Sequence, residues 1–165
     1  MISLHVTPQL RFDLRAAAVV HDRGRVLLHR ADWEPFWSLP GGRVEAGEAG
    51  PDAVVRELQE ELGETVEVEH HLWTIENFFE WQGRRIHEIG LYFRCRPHAG
   101  SRLLTQPGPY KGVEGEDVLH FAWFDQAELA GLTVHPPLLA TLLAEQPPRP
   151  GHHVQRPWPR PVEAS

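Results

Sequence analysis

Cysteine is nearly absent: Cys95 stands alone among 165 residues. It has no mate for an internal disulfide and cannot build a cysteine-rich zinc site, so a reducing cytoplasm is the expected setting. Long apolar runs are missing as well. No stretch reaches the roughly 18 residues that a membrane-crossing helix needs, and no membrane partner is expected. Residues 1–9 carry neither a basic segment nor an apolar one, so no secretory signal is expected. No sequence repeat is visible. Cations are in short supply, with 16 Lys and Arg against 23 Asp and Glu for a net charge of −7. That deficit weighs against DNA or RNA as a partner, because phosphate neutralisation supplies most non-specific affinity. What remains, 41% hydrophobic and 24% charged, is an ordinary globular composition in a length suited to one domain with its own core.

The acidity is local. Residues 45–69 hold Glu45, Glu48, Asp52, Glu57, Glu60, Glu61, Glu64, Glu67 and Glu69 against a single cation, Arg56. The window therefore carries −8 and the rest of the chain +1. A solvated or halophilic surface would spread its charge, whereas a concentrated one asks for a local reason.

Residues 12–20 and 25–29 read as strands joined across Asp22-Arg23-Gly24. The stretch Trp37-Ser38-Leu39-Pro40 ends in the breaker Gly41-Gly42. A helix is predicted over residues 51–62, with Pro51 suited to its first turn and Gly63 to the position past its end. Residues 65–79 and 84–95 alternate and are rich in β-branched and aromatic types, so they read as strands around Gln82-Gly83. Residues 97–116 read as loop. Residues 118–124 form a further strand, Asp125 caps a short helix, and residues 136–145 make the last one. From Gln146 onward six prolines fall in twenty residues without periodicity. Such a tail, 146–165, is expected to be flexible or draped over the surface of a domain spanning 1–145.

Turning residues 51–62 at about 100° per residue places Glu57, Glu60 and Glu61 on one arc about 100° wide. Val54, Leu58 and Leu62 form the apolar stripe beside it. Three like charges at these spacings repel by about 0.2–0.5 kcal/mol per pair, and one Arg56 offsets little of that. A hard divalent cation removes the penalty, since Mg²⁺ prefers carboxylates completed by water and phosphate oxygens. A plain solvated acidic face is the competing explanation for three clustered glutamates.

The surrounding residues decide between them. Gly42, Glu48, Arg56, Glu57, Leu58, Glu60, Glu61 and Gly63 fit the pattern G-x5-E-x7-R-E-U-x-E-E-x-G-U, with U aliphatic. The chain thus resembles the Nudix hydrolases over about residues 10–145, with the box at 42–64. One position departs, since the final U is Glu64. The resemblance implies an α/β class, the Nudix fold, an α/β/α sandwich with a central mixed β-sheet. It also implies hydrolysis of a pyrophosphate bond in a nucleoside diphosphate linked to another group X, with Mg²⁺ (or Mn²⁺) as cofactor. X covers nucleoside triphosphates, ADP-ribose or nucleotide sugars, and dinucleoside polyphosphates. A non-catalytic nucleotide-binding or regulatory module on the same fold is the alternative.

Carried over by resemblance, Glu57, Glu60 and Glu61 hold the metal, with the carbonyl of Gly41 or Gly42 as a further ligand. Arg56 orients the carboxylates. Glu48 is either another ligand or a partner for Arg56. Arg30 and Arg43 sit where the family often contacts phosphate. Members often take a general base from a later loop, where Glu114, Glu116 and Asp117 are available here. Spacing favours Glu116, and Glu57 or Glu60 taking the proton is the other option. Phe79 and Trp81 are candidates to stack on the base, although strand spacing also suits a core role. The histidine pairs at 70–71 and 152–153 read as surface, because adjacent strand residues face opposite ways. The implied partner is a small nucleotide, and a homodimer is possible because family members frequently pair.

Overall fold

The computed structural model describes residues 1–156. β1 (Ser3–Thr7) and β2 (Leu10–Asp22) are followed by β3 (Arg25–Ala31), β4 (Gly41–Arg43) and α1 (Gly50–Leu62). β5 (Val66–Trp81) and β6 (Arg84–Pro97) form a long hairpin; α2 (Arg102–Thr105), β7 (Tyr110–Glu114) and β8 (Asp117–Asp125) come next. α3 (Gln126–Leu129), α4 (Leu138–Ala144) and β9 (Gly151–Gln155) complete the described chain.

The strands lie in the order β7-β8-β3-β2-β6-β5-β9, with β1 and β4 also paired to β2. The sheet is mixed: β2 runs parallel to β6 from Leu10 to Val20 and β5 runs parallel to β9, while the other pairs are antiparallel. β3 meets β2 only at the hairpin end, through His21↔Val26 and Asp22↔Arg25. Farther along β2 the short β4 takes the place of β3, opposite Arg15, Ala16 and Ala17. The sheet therefore splits beside the middle of β2, and the site forms there.

The run Ala16 to Val20 is buried on both sides because helices cover both faces. Even-numbered residues of this run pack with Val54, Leu58 and Leu62 of α1, together with Leu27, Phe93 and Phe121. Ala17 and Val19 face Leu129, Leu139, Leu142 and Leu143 of α3 and α4, with Trp73 and Tyr92. Each such leucine contributes about 1.5–3 kcal/mol on burial, so α1 is fixed by its stripe rather than by its charged arc. Its end is set by Gly63 at φ +72°, whose N–H bonds Gln59 O at 3.0 Å while Glu64 N bonds Leu58 O at 3.3 Å. Left-handed backbone there suits glycine.

Two stretches differ from the sequence reading. Residues 97–116, read as loop, contain α2 and β7. Ser101 caps α2, accepting from Leu103 N, and Glu64 receives Ser101 Oγ and Arg102 Nε, the latter at 2.9 Å. The box departure at Glu64 thus anchors the segment after β6. The tail, read as flexible or draped over the surface, supplies β9: residues 151–155 carry no proline, and they complete the open edge of β5 from Trp73 to Asn77. Trp73 Nε1 donates to Arg149 O at 3.0 Å, and His152 Nε2 lies 2.8 Å from Glu76. Residues 157–165 lie outside the described residues.

Candidate active site

Arg56 organises the acidic face of α1. Its Nε and Nη2 donate to the two oxygens of Glu48 at 2.8 and 2.9 Å, a bidentate fork. Nη1 donates to Glu57 at 2.8 Å and to Glu60 at 3.1 Å, and Nη2 also reaches Arg43 O at 3.2 Å. Glu48 is therefore the partner of Arg56, and the hydrogen bond from Arg56 holds its carboxyl below the usual carboxylate range. Glu57 moves the other way, because burial outweighs its bond to Arg56.

Glu61 stands apart. It is 4% exposed, and neither of its carboxylate oxygens has a hydrogen-bond partner among the described residues. Burial pushes its pKa up to about 8, although the field of Arg15 opposes the rise. His29 Nδ1 lies 3.7 Å away but supplies no charge, since burial drives that imidazole down to about 3. A buried carboxylate without a donor is costly. An incoming cation removes that cost.

Gly42 brings the backbone against this cluster. A Cβ there would lie 2.3 Å from Glu57 Cδ and 2.4–2.5 Å from its oxygens, so only glycine lets the carboxylate sit over β4. At Gly41 the φ of +143° and a Cβ only 2.2 Å from Ala16 O exclude any side chain. Among the described residues no three acidic, histidine or cysteine side chains stand close enough to hold an ion as they are. Arg56 engages Glu57 and Glu60 and makes no hydrogen bond to Glu61 among the described residues. The donor set nevertheless fits a hard divalent cation: oxygen ligands, two orphaned oxygens on Glu61, and backbone carbonyls beside Glu57.

A cavity of about 380 Å³ is lined by Arg15 and Arg43 but by none of the α1 glutamates, and Arg15 links it electrostatically to Glu57 and Glu61. Arg43 and Arg15, opposite each other in the β4–β2 register, line one end. Arg15 also donates to Leu39 O at 3.1 Å. Phe36, Phe79 and Trp81 line the cavity with His135; the ring of Phe36 lies 5.6 Å from Trp81, and Phe79 lies 4.7 Å from His135. Burial and the neighbouring Arg15 push His135 down to about 4, which leaves it neutral near pH 7. Trp73, by contrast, is wholly in the core.

Two sequence candidates fall elsewhere. Arg30 stacks on Trp37 at 4.9 Å and does not line the cavity; its side of β3 faces the α3–α4 layer. Glu116 occupies the exposed turn between β7 and β8, with no hydrogen bond or ion pair among the described residues. Glu114, one turn earlier, acts electrostatically on both Glu61 and Arg15. β7 runs tightly along α1, since a Cβ at Gly112 would come within 2.2 Å of Glu61 O. Hairpin phase explains the shift: the tip residues point outward and the last strand residue turns back toward α1.

Arg15, Asp13 and Glu88 also line the cavity and were not singled out from the sequence. The alternation Arg11-Phe12-Asp13-Leu14-Arg15 was a visible signal, because three charges on one face of an otherwise apolar strand need a polar neighbour.

The same arrangement of sheet and helices occurs in a NUDIX hydrolase from Nitrosomonas europaea, which aligns at a TM-score of 0.62 and 18% identity over 86% of this chain and 77% of that one. A MutT NUDIX hydrolase from Burkholderia pseudomallei aligns at 0.60 and 27% identity, over 78% and 95% respectively. The NUDIX domain family matches residues 11–146, and the chain belongs to it. A MutT-like protein of Streptomyces ambofaciens is 36% identical over 94 residues, 57% of each chain. This chain spans less than two thirds of that relative's length, and smaller shares of several others. Members of the family generally depend on a divalent metal ion. Among the described residues no helix is long and apolar enough to cross a membrane.

Proposed function

We propose that the chain is a pyrophosphohydrolase that cleaves a nucleoside diphosphate linked to a group X, with Mg²⁺ as its ion and Mn²⁺ as a substitute. The observation that carries this reading is the buried, partnerless Glu61 carboxylate within the field of Arg15, which lines a cavity together with Arg43. Glu57, Glu60, Glu61 and the carbonyl of Gly41 or Gly42 would hold the ion. When bound, such an ion polarises phosphate oxygens and lowers the pKa of a bound water.

The remaining steps belong to the chain's own side chains. Arg56 holds Glu57 and Glu60 at a fixed distance from α1. Arg15 and Arg43 receive phosphate charge at one end of the cavity and stabilise its increase as the bond breaks. Glu114 accepts a proton from the attacking water, and Phe79 and Trp81 hold the organic half. A small nucleotide as ligand and a single buried cysteine support a cytoplasmic setting; a homodimer remains part of this reading. The cavity is near the lower end of ligand-pocket volumes, which favours substrates with one nucleoside.

Release of phosphate or pyrophosphate from a nucleotide panel, with and without Mg²⁺, tests the reading. Turnover is expected only with the ion, and Glu60→Gln should lower it by about 10²-fold or more. Glu114→Gln should reduce kcat by about 10²-fold, while Glu116→Gln stays near wild type. Equal rates for wild type and Glu114→Gln exclude Glu114 as the base. A second reading, nucleotide binding without turnover, draws on the absence of a ready-made ion cluster among the described residues. It prevails if nucleotides bind and none is hydrolysed.

A further inference from the structure

The paired strands under the cavity form successive rows of side chains. Arg43, Arg15 and Gly90 share one row. Two residues farther along, Asp13, Glu88 and Asn77 share the next. After two more, Arg11, Ile86 and Phe79 share a row, in which the Arg11 guanidinium is already paired with Asp13. Strands rise about 3.3 Å per residue, so each row lies about 7 Å beyond the last. The polar end thus receives phosphate, the aromatic end receives a planar ring, and the middle row meets whatever joins them. In a nucleotide that is the sugar.

We infer that Glu88 reads the hydroxyl groups of a ribose, making the site selective for ribonucleotides over 2′-deoxyribonucleotides. The inference rests on the nucleotide reading of the site and adds the sugar to it. Within the middle row Asp13 is already engaged, accepting from Ser3 Oγ at 2.6 Å and pairing with Arg11 Nη2 at 2.9 Å. Glu88 is 9% exposed, lines the cavity, and has no ion-pair partner among the described residues. Asn77, 1% exposed, stands opposite Glu88 in the strand pairing, with its Nδ2 3.4 Å from His135 Nε2 and its own Oδ1 without a partner. A carboxyl that faces a cavity with no ion-pair partner, beside a buried amide whose oxygen is also unpaired, is a receptor for hydroxyl donors. The use of an acidic side chain on a ribose 2′-OH is general chemistry.

Protonation does not upset the assignment. Burial raises the Glu88 pKa while Arg15 draws it down, and either state leaves at least one oxygen free to accept from a hydroxyl. A site built to hydrogen-bond a hydroxyl penalises an analogue lacking it, because its own polar group is then left unpaired.

The test compares ATP with dATP, and CTP with dCTP, in the presence of Mg²⁺. Wild type should prefer each ribonucleotide by about 10-fold or more in kcat/KM, carried mainly by KM. Glu88→Ala should bring each ratio within about twofold of unity, chiefly by losing the ribonucleotide and not the deoxy substrate. A far-UV spectrum and melting temperature like those of wild type establish that Glu88→Ala is folded, and Glu88→Gln, which keeps an acceptor, should retain part of the preference. Equal turnover of the two sugars by wild type, or an undiminished preference in Glu88→Ala, overturns the inference and leaves the hydrolase reading intact. Should wild type hydrolyse nothing, titration calorimetry with ADP and dADP decides separately: tighter ADP binding sustains the sugar reading while hydrolysis falls, and equal binding overturns it.

Discussion

Glu61→Gln is expected to lower hydrolysis by at least about 10²-fold and, in the metal-free protein, to raise the melting temperature. The two effects share one cause. Below pH 4.5 the Glu61 carboxyl is protonated whether the chain is folded or not, and it costs nothing electrostatically. Between 4.5 and about 8 the unfolded chain loses the proton while the folded one keeps it, so stability falls steadily as pH rises. Above about 8 the loss is complete. Glutamine has nearly the same shape and no charge, so it escapes this loss. The variant's thermal advantage should grow from pH 5 to 8 and then level, at roughly 2–4 °C for each kcal/mol recovered. Scans of both proteins in chelator across that range check it. An advantage that does not change with pH would show that the buried carboxylate carries no ionisation penalty. Addition of Mg²⁺ should narrow the gap by stabilising only the wild type.

Gly42→Ala should be nearly as damaging to catalysis and, unlike Glu61→Gln, should cost some stability. The new methyl would lie 2.3 Å from Glu57 Cδ, and the neighbour that must yield is the end of a side chain. β4 can therefore stay paired with β2 while the carboxylate swings off the backbone. A rate loss of about 10²-fold or more is expected with a stability cost of about 1–3 kcal/mol. Gly63→Ala provides the contrast. That residue has φ +72° and open space around its missing Cβ, so the variant should lose about 1 kcal/mol of stability with a rate close to wild type. Steady-state kinetics and urea melts on the two variants separate the effects. Similar rates for both would mean that the Glu57 carboxylate does not need its seat over Gly42.

Local signals were the legible ones. The helix over 51–62, the Gly63 stop, the turn at Arg23-Gly24 and the hairpin around Gln82-Gly83 all depend on residues adjacent in sequence, and the structure has each. The three glutamates of α1 were visible because a helical repeat places them within one turn of each other. β7 and α2 were hidden because Gly, Pro and Ser around them mimic a loop; what forms them is contact with α1 and the ion pair of Arg102 with Glu64. β9 was hidden for a related reason, since its pairing energy comes from the edge of β5 and not from its own composition. Glu114 and Glu116 differ only in hairpin phase, which depends on the tight turn at Gly115 and leaves no trace in spacing. Glu88 was beyond reach. Its role depends on standing beside Asp13 in a parallel pairing that no local pattern specifies.

That parallel pairing also governs when the protein can come to exist as a working unit. β2 lies near the start of the chain and its neighbour β6 begins at Arg84, so the floor of the cavity joins two segments synthesised far apart. Parallel, non-local strands form late because the intervening chain must be ordered before contact repays it. A nascent chain that has completed α1 already displays the clustered glutamates, yet it lacks β6, the aromatic wall of β5 and the β7 strand that buries Glu61. Until then the arc lacks both the strand that packs against Glu61 and the strand that floors the cavity. On the proposed function, ion and nucleotide would stabilise only the completed sheet and would bind after its assembly.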